Sequence, residues 1–260
     1  MCAVGERDDD WTKHRAGAPA GFFAAEAAGL RWLGEARARG GAAVARVFWF
    51  DDENIRLERV RTAAPSTAAA AGLGTALAAT HATGAAAFGV GPDDGPGVAF
   101  IGRQSLPLGR YPAWGAFYGE LRLAPYARAA VDVGHLSADG ARLVDRVVER
   151  LGTGEWDDGR PPARIHGDLW GGNVLYTGDS AVLIDPAAHG GHGETDLAML
   201  ALFGLPGLSR VQAAYAEAAG LDAGWRSRVG LHQLHPLLVH AVSHGPEYGR
   251  EAERIARRYA

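Results

Sequence analysis

The sequence predicts a bilobal α+β protein, with a small β-rich N-terminal lobe over residues 1–62 and a larger, mainly helical lobe over residues 63–260. Three observations predict it. β-branched and aromatic runs broken by turn residues crowd the N-terminal part, helical spacing dominates the remainder of the chain, and one β-hairpin flanked by Asn173 and Asp185 interrupts the helices.

Residues 2–4 read as a strand end, 5–10 as a polar turn and 11–13 as a strand. Gly17, Pro19 and Gly21 break the chain before a helix over about 22–38, where Phe23, Ala27, Leu30 and Leu33 recur at helical spacing and define a buried stripe. Residues 43–50 and 54–60 read as two strands joined by Asp51, Asp52 and Glu53, and 62–65 as the connector between lobes. Ser66 caps a helix running to about Thr83. Residues 111–131 and 137–151 read as two more helices, the second with Ser137 as N-cap and an apolar stripe through Val144, Val147 and Leu151. Residues 174–176 and 181–184 are the hairpin strands, turned by Gly178 and Asp179, and 196–203, 209–219 and 231–248 are helical.

The most informative stretch is residues 165–173, Ile-His-Gly-Asp-Leu-Trp-Gly-Gly-Asn, with Asp185 closing the hairpin after it. Asp168 sits on a turn before a strand, where a base for a substrate hydroxyl belongs. Asn173 begins the first hairpin strand and Asp185 ends the second, so antiparallel pairing brings both oxygens to one cation. Hard oxygen ligands on such a frame suit Mg²⁺ bridging the phosphates of ATP, and phosphoryl transfer asks for positioning and charge neutralisation more than covalent help.

Composition narrows the alternatives. A formal charge of −4 and a pI near 6.2 argue against a nucleic-acid binder working through a basic face. The one cysteine, Cys2, excludes an internal disulfide. Residues 1–10 lack the apolar core of a signal peptide, and the Ala-rich tract 63–90 is broken by Pro65, Gly72, Gly74, His81 and Gly84. The expectation is a cytoplasmic protein without a membrane partner; oligomeric state is not legible.

The segments 166–173, 182–187 and 191–199, with Phe100-Ile101-Gly102, Trp114-x-x-Phe117-Tyr118, Arg122-Leu123 and Leu202-Phe203-Gly204, resemble the fructosamine kinase (ketosamine-3-kinase) family, within the aminoglycoside phosphotransferase and choline kinase branch of the protein-kinase-like fold. The resemblance runs from about Lys13 to Tyr248. It implies ATP-dependent phosphorylation of a sugar hydroxyl on a ketosamine, with Asp168 as catalytic base and Asn173 and Asp185 as Mg²⁺ ligands. It further implies that Lys13 contacts the phosphates, that Glu26 is its ion-pair partner, and that the hinge through Glu58, Arg59 and Val60 offers backbone hydrogen bonds to adenine. Asp196 matches an aspartate bracing the catalytic loop, and Trp170 a wall of the acceptor pocket.

The chain departs from the family at its front: few residues precede Lys13, and the expectation is that the first strand and the Gly-rich loop over the ATP phosphates are absent. Leu106 and Leu108 stand where the family often has polar residues, and Gly193 where it often has Arg. Three rivals remain: a zinc hydrolase using His166, Asp168, Asp185, His189 and His192, a kinase-like binding module with weak or no catalysis, and a phosphotransferase for another small molecule such as an aminoglycoside. His81, His232, His235, His240 and His244 read as packing or capping residues.

Overall fold

The computed structural model describes residues 10–260. The strand end expected at residues 2–4 and most of the following turn lie outside the described residues, as does any element ahead of the Lys13 strand.

Strand β1 (Asp10–His14) pairs antiparallel with a later strand in the register Lys13↔Ile55, and the stripe of α1 (Phe22–Gly34) packs on the sheet so formed. Phe23, Ala27 and Leu30 bury against Ile55 and Leu57, which sets the face of α1 and therefore the direction of Glu26. The helix expected to reach residue 38 is α-helical only to Gly34, and its last turn tightens to 3-10 geometry over Glu35–Arg39.

The single strand expected over 43–50 is two strands in two different sheets. Its first part, β2 (Ala43–Val44), pairs parallel with the Asp185 hairpin, and its second, β3 (Val47–Phe50), pairs with β4 (Asn54–Glu58) in the order β1-β4-β3. Alternation cannot reveal which sheet a strand joins, because both surroundings bury the same face.

Helix α2 (Thr67–Ala82) begins as expected, with Ser66 Oγ accepting from the Ala69 N–H at 3.0 Å. A two-stranded hairpin not expected from the sequence comes next, β5 (Phe100–Ile101) and β6 (Gln104–Ser105). The helix expected over 111–131 runs as α3 (Trp114–Phe117), a π segment (Tyr118–Leu123) and α4 (Ala124–Asp132). Pro125 explains the interruption: it cannot donate to the Leu121 carbonyl, and the buried Arg122 guanidinium takes that oxygen at 3.1 Å. Helix α5 (Ala138–Gly152) carries the Ser137 cap, with Val144, Val147 and Leu151 in the main core.

The segment carrying Asp168 lies between β7 (Ala163–Ile165) and the hairpin β8 (Val174–Tyr176) and β9 (Ala181–Leu183). Strand β10 (His189–Gly191) returns antiparallel to β7; neither short strand was legible in the sequence. Helices α6 (Gly193–Phe203) and α7 (Leu208–Ala219) match their expected places within a few residues. The long helix expected over 231–248 is instead α8 (Trp225–His244) and α9 (Pro246–Ala256), separated at Gly245. Pro236 sits inside α8 because the carbonyl it orphans, His232 O, accepts a hydrogen bond from the Tyr118 hydroxyl at 2.9 Å. No helix among the described residues is long and apolar enough to cross a membrane.

Candidate active site

The site is built on the β7-to-β9 segment. Hairpin register Val174↔Leu183 puts the flanking residues together, and the Ile184 N–H donates to Asn173 O at 3.1 Å, so Asn173 and Asp185 stand side by side. Asn173 Nδ2 donates to the Asp168 carbonyl at 2.7 Å and approaches Asp168 Oδ2 at 3.4 Å, tying the loop to the hairpin. Asp185 has φ 55°, a left-handed conformation that is uncommon outside glycine and is retained only where the surroundings over-determine it.

The loop is held from below. Asp196, fully buried at the start of α6, accepts from the backbone N–H groups of His166 (2.8 Å) and Gly167 (2.9 Å) and from His81 Nε2 (3.0 Å). Burial opposes its ionisation, but the bonds from His81 and the loop outweigh that and keep its pKa below the usual carboxylate range. His81 is held in turn by the Tyr215 hydroxyl at 2.7 Å. His166 fits between Ile184 O (2.9 Å from Nε2) and the Asp168 N–H (3.3 Å from Nδ1). Gly167 is obligatory, with φ 80° and with any Cβ falling 2.3 Å from the Ala187 carbonyl oxygen.

From the small lobe, Lys13 Nζ donates to Glu26 Oε1 at 2.7 Å and also contacts the Asp185 carboxylate. Burial works against the Lys13 ammonium, but the charges of Glu26 and Asp185 outweigh it and raise its pKa. Burial lifts Glu26 above its usual range against the pull of Lys13. Asp168 is pushed up to about 7, first by burial and then by the nearby Asp185 charge.

Lys13, Glu26, Asp168, Trp170, Asn173 and Asp185 all line one cavity of about 930 Å³. At the Asp168 end three carboxylates face one ammonium. An oxygen-donor pair, Asn173 and Asp185, at the acidic end of the pocket fits a hard divalent cation. Trp170 is 43 % exposed, its ring edge-on to Phe203 at 6.5 Å.

Glu58, Arg59 and Val60 do not line the cavity. The Glu58 N–H is already engaged with Arg46 O at 2.8 Å, and the Arg59 side chain binds Asp10 O and lies over the Trp11 ring. His189 and His192, grouped with His166 and the two aspartates in the zinc reading, turn elsewhere: His189 Nδ1 bonds Ala187 O, and His192 Nε2 faces Asp158 at 3.2 Å. His192, Glu194 and His232 do converge, but Arg228 occupies both oxygens of the Glu194 carboxylate. Burial opposes the Glu194 charge, yet His232 and Arg228 bring its pKa down to about 2; His232 Nε2 at 3.5 Å is in ion-pair range only, so the Arg228 fork is the stronger partner.

Sequence reasoning missed the cavity wall formed by His240 and His244, stacked at 4.8 Å on the last turns of α8, and by Arg103 on the β5–β6 turn. The i, i+4 spacing of the two histidines was the available signal. Gly193, a departure from the family pattern, has a steric reason: a Cβ there would lie 2.3 Å from the Tyr215 hydroxyl and 2.7 Å from His81 Nδ1.

Comparison with known proteins places the chain in a family. The sequence pattern of the fructosamine kinase family matches residues 4–260. A relative in Lactiplantibacillus plantarum named as a probable ketoamine kinase is 32% identical over 92% of this chain and 82% of its own length. Another so named in Synechocystis is 35% identical over 70% of this chain, and the match spans only 59% of that relative's length. The crystal structure of a Thermobifida fusca protein carrying a fructosamine-3-kinase name is 46% identical, with a TM-score of 0.88 over 96% of this chain and 85% of that one. A choline/ethanolamine kinase family protein of Mesorhizobium loti, 16% identical over 98% of this chain and 83% of its own, shares the fold with a TM-score of 0.62.

Proposed function

The chain belongs to the fructosamine kinase family, a family of ATP-dependent small-molecule kinases, and we propose that it transfers the γ-phosphoryl group of ATP to a sugar hydroxyl of a ketosamine. The observation that carries this reading is the convergence of Lys13, Glu26, Asp168, Asn173 and Asp185 from two lobes on one cavity.

In this reading Asp168 orients the acceptor hydroxyl and takes its proton as the oxygen attacks the γ-phosphorus; the bond to the β–γ bridging oxygen breaks and ADP leaves. Asn173 and Asp185 would hold Mg²⁺, which when bound neutralises phosphate charge. Lys13, kept cationic and in place by Glu26, contacts the phosphates. Trp170 offers the sugar an apolar face.

The test is a phosphorylation assay on small fructosamines and ribulosamines, with ADP release and ³¹P NMR of the product as readouts. Sugar-phosphate formation that requires both ATP and Mg²⁺ is expected. ATP-independent turnover, or none with any ketosamine, would overturn the reading.

A further inference from the structure

We propose that the acceptor end of the cavity selects ketosamines whose amine carries an anionic substituent, a carboxylate, held by Arg103 with Arg15 on the facing wall. This deepens the proposed function and rests on it for the identity of the sugar part.

Charge is distributed unevenly along the cavity. Its lining acids are Glu26, Asp168 and Asp185, all at the catalytic end and all engaged with Lys13 or Asn173. The opposite wall, made by the β5–β6 turn and the last turns of α8, carries Arg103, Gln104, His240, Ser243 and His244 and no acid. A substrate reaching from Asp168 along this wall therefore passes from a negative to a positive surface.

Arg103 is the free charge on that wall. It makes no hydrogen bond, ion pair or ring contact among the described residues. Its position is nevertheless set: the two-residue turn places Gly102 at φ 55°, where a II′ turn requires glycine, and Arg103 next to it. Gln104 Nε2 then clamps the hairpin to α8 through Val239 O at 2.8 Å, and the Tyr126 hydroxyl holds Ser105 O at 2.6 Å.

Ring contacts line two sides of this path. On one side Trp170 meets Phe203, which packs on His240 at 4.7 Å. On the other, Arg15 lies over Phe22 at 4.4 Å, and Phe22 packs on Phe100 at 5.2 Å, in the strand that leads into Arg103. A sugar on Trp170 thus has its amine arm running between aromatic walls toward two guanidinium groups. A guanidinium fork matches a carboxylate in shape and charge, whereas a cationic arm would meet like charge.

The test compares N-fructosylglycine with N-fructosylglycinamide, which differ in carboxylate against neutral amide. Wild-type kcat/KM is expected to favour the carboxylate by at least about tenfold, the low end for a hydrogen bond to a charged group. Arg103→Gln should collapse that ratio to within about twofold, and Arg103→Lys should restore part of it. Calorimetric binding of both compounds provides a second readout independent of turnover. Preferential, Arg103-dependent binding of the carboxylate without phosphorylation would sink the kinase reading and leave this one standing. Equal binding and turnover of the two compounds, no detectable binding of either, or an Arg103→Gln effect confined to the KM for ATP would overturn it.

Discussion

The two ends of the cavity are built on opposite principles. The end at Asp168 is over-determined: the fully buried Asp196 holds two consecutive backbone N–H groups of the loop, His81 holds Asp196 and is itself held by Tyr215, and Asn173 ties the loop to the hairpin. The acceptor end is a hairpin of two-residue strands, an exposed Trp170 and the end of a helix, attached by a few polar contacts. The difference teaches where precision is needed. In the proposed reaction, phosphoryl transfer tolerates little misplacement, which suits groups on buried, multiply bonded backbone, while selection of the acceptor would fall to a thinly anchored surface.

The comparison breaks most visibly at Asp168. Asp168→Ala should lower kcat by about a thousandfold or more, while Tm stays near the wild-type value, because the loop's supports remain. Wild-type-like turnover in that variant would remove Asp168 from the mechanism.

A smaller but twofold effect is expected at Asp196. Asp196→Asn places an amide against buried N–H donors, so it should cost roughly 3 kcal/mol in denaturant unfolding and about a hundredfold in kcat. A loss of stability with unchanged kcat would show that the loop keeps its geometry without this brace.

The acceptor end should respond more gently. Trp170→Ala is expected to raise the acceptor KM by roughly three- to tenfold with little change in Tm, as suits a half-exposed ring that packs edge-on to Phe203. An equal fall in kcat with KM unchanged would move Trp170 to the catalytic end.

The smallest effect on turnover lies outside the cavity, in the buried pair of Glu194 and His232. Burial lowers the His232 pKa from 6.5 to about 4, so its contribution is complete above pH 6.5 and is lost as pH falls through 4. Glu194, lowered from 4.5 to about 2, contributes fully above pH 4.5 and loses its share as pH falls toward 2. Tm measured from pH 7 to pH 3 should therefore fall steadily on the acid side. Glu194→Gln should be less stable at pH 7 by about 1–3 kcal/mol and show a flatter profile below pH 4.5. An unchanged acid profile would mean that the pair is not what titrates.

Much of the catalytic end was legible because it is encoded locally. Asp168, Asn173 and Asp185 lie on one short stretch, and hairpin pairing alone brings Asn173 and Asp185 together. The α1 stripe through Phe23, Ala27 and Leu30 likewise announced the face that aims Glu26 at Lys13. Of the proposed acceptor end only Trp170 was legible, through the family resemblance. Its strands are two residues long, too short for any period to register, and His240 and His244 read as ordinary helix residues until α8 is placed against the hairpin. The break of residues 43–50 into two sheets and the Tyr118 hydroxyl that satisfies the kink at Pro236 were hidden for the same reason.

By itself, then, the sequence determined the α+β class, most helices, the hairpin and the residue types of the proposed phosphotransfer centre, each of them set by spacing over a few residues. Only the tertiary structure decided that Lys13 meets Asp185 across 172 residues, that His81 reaches Asp196 across 115, and that Arg103 stands on the far wall without a partner among the described residues. The physical reason is that local periodicity fixes which face of an element is buried. Which distant element covers that face depends on how all of them pack at once.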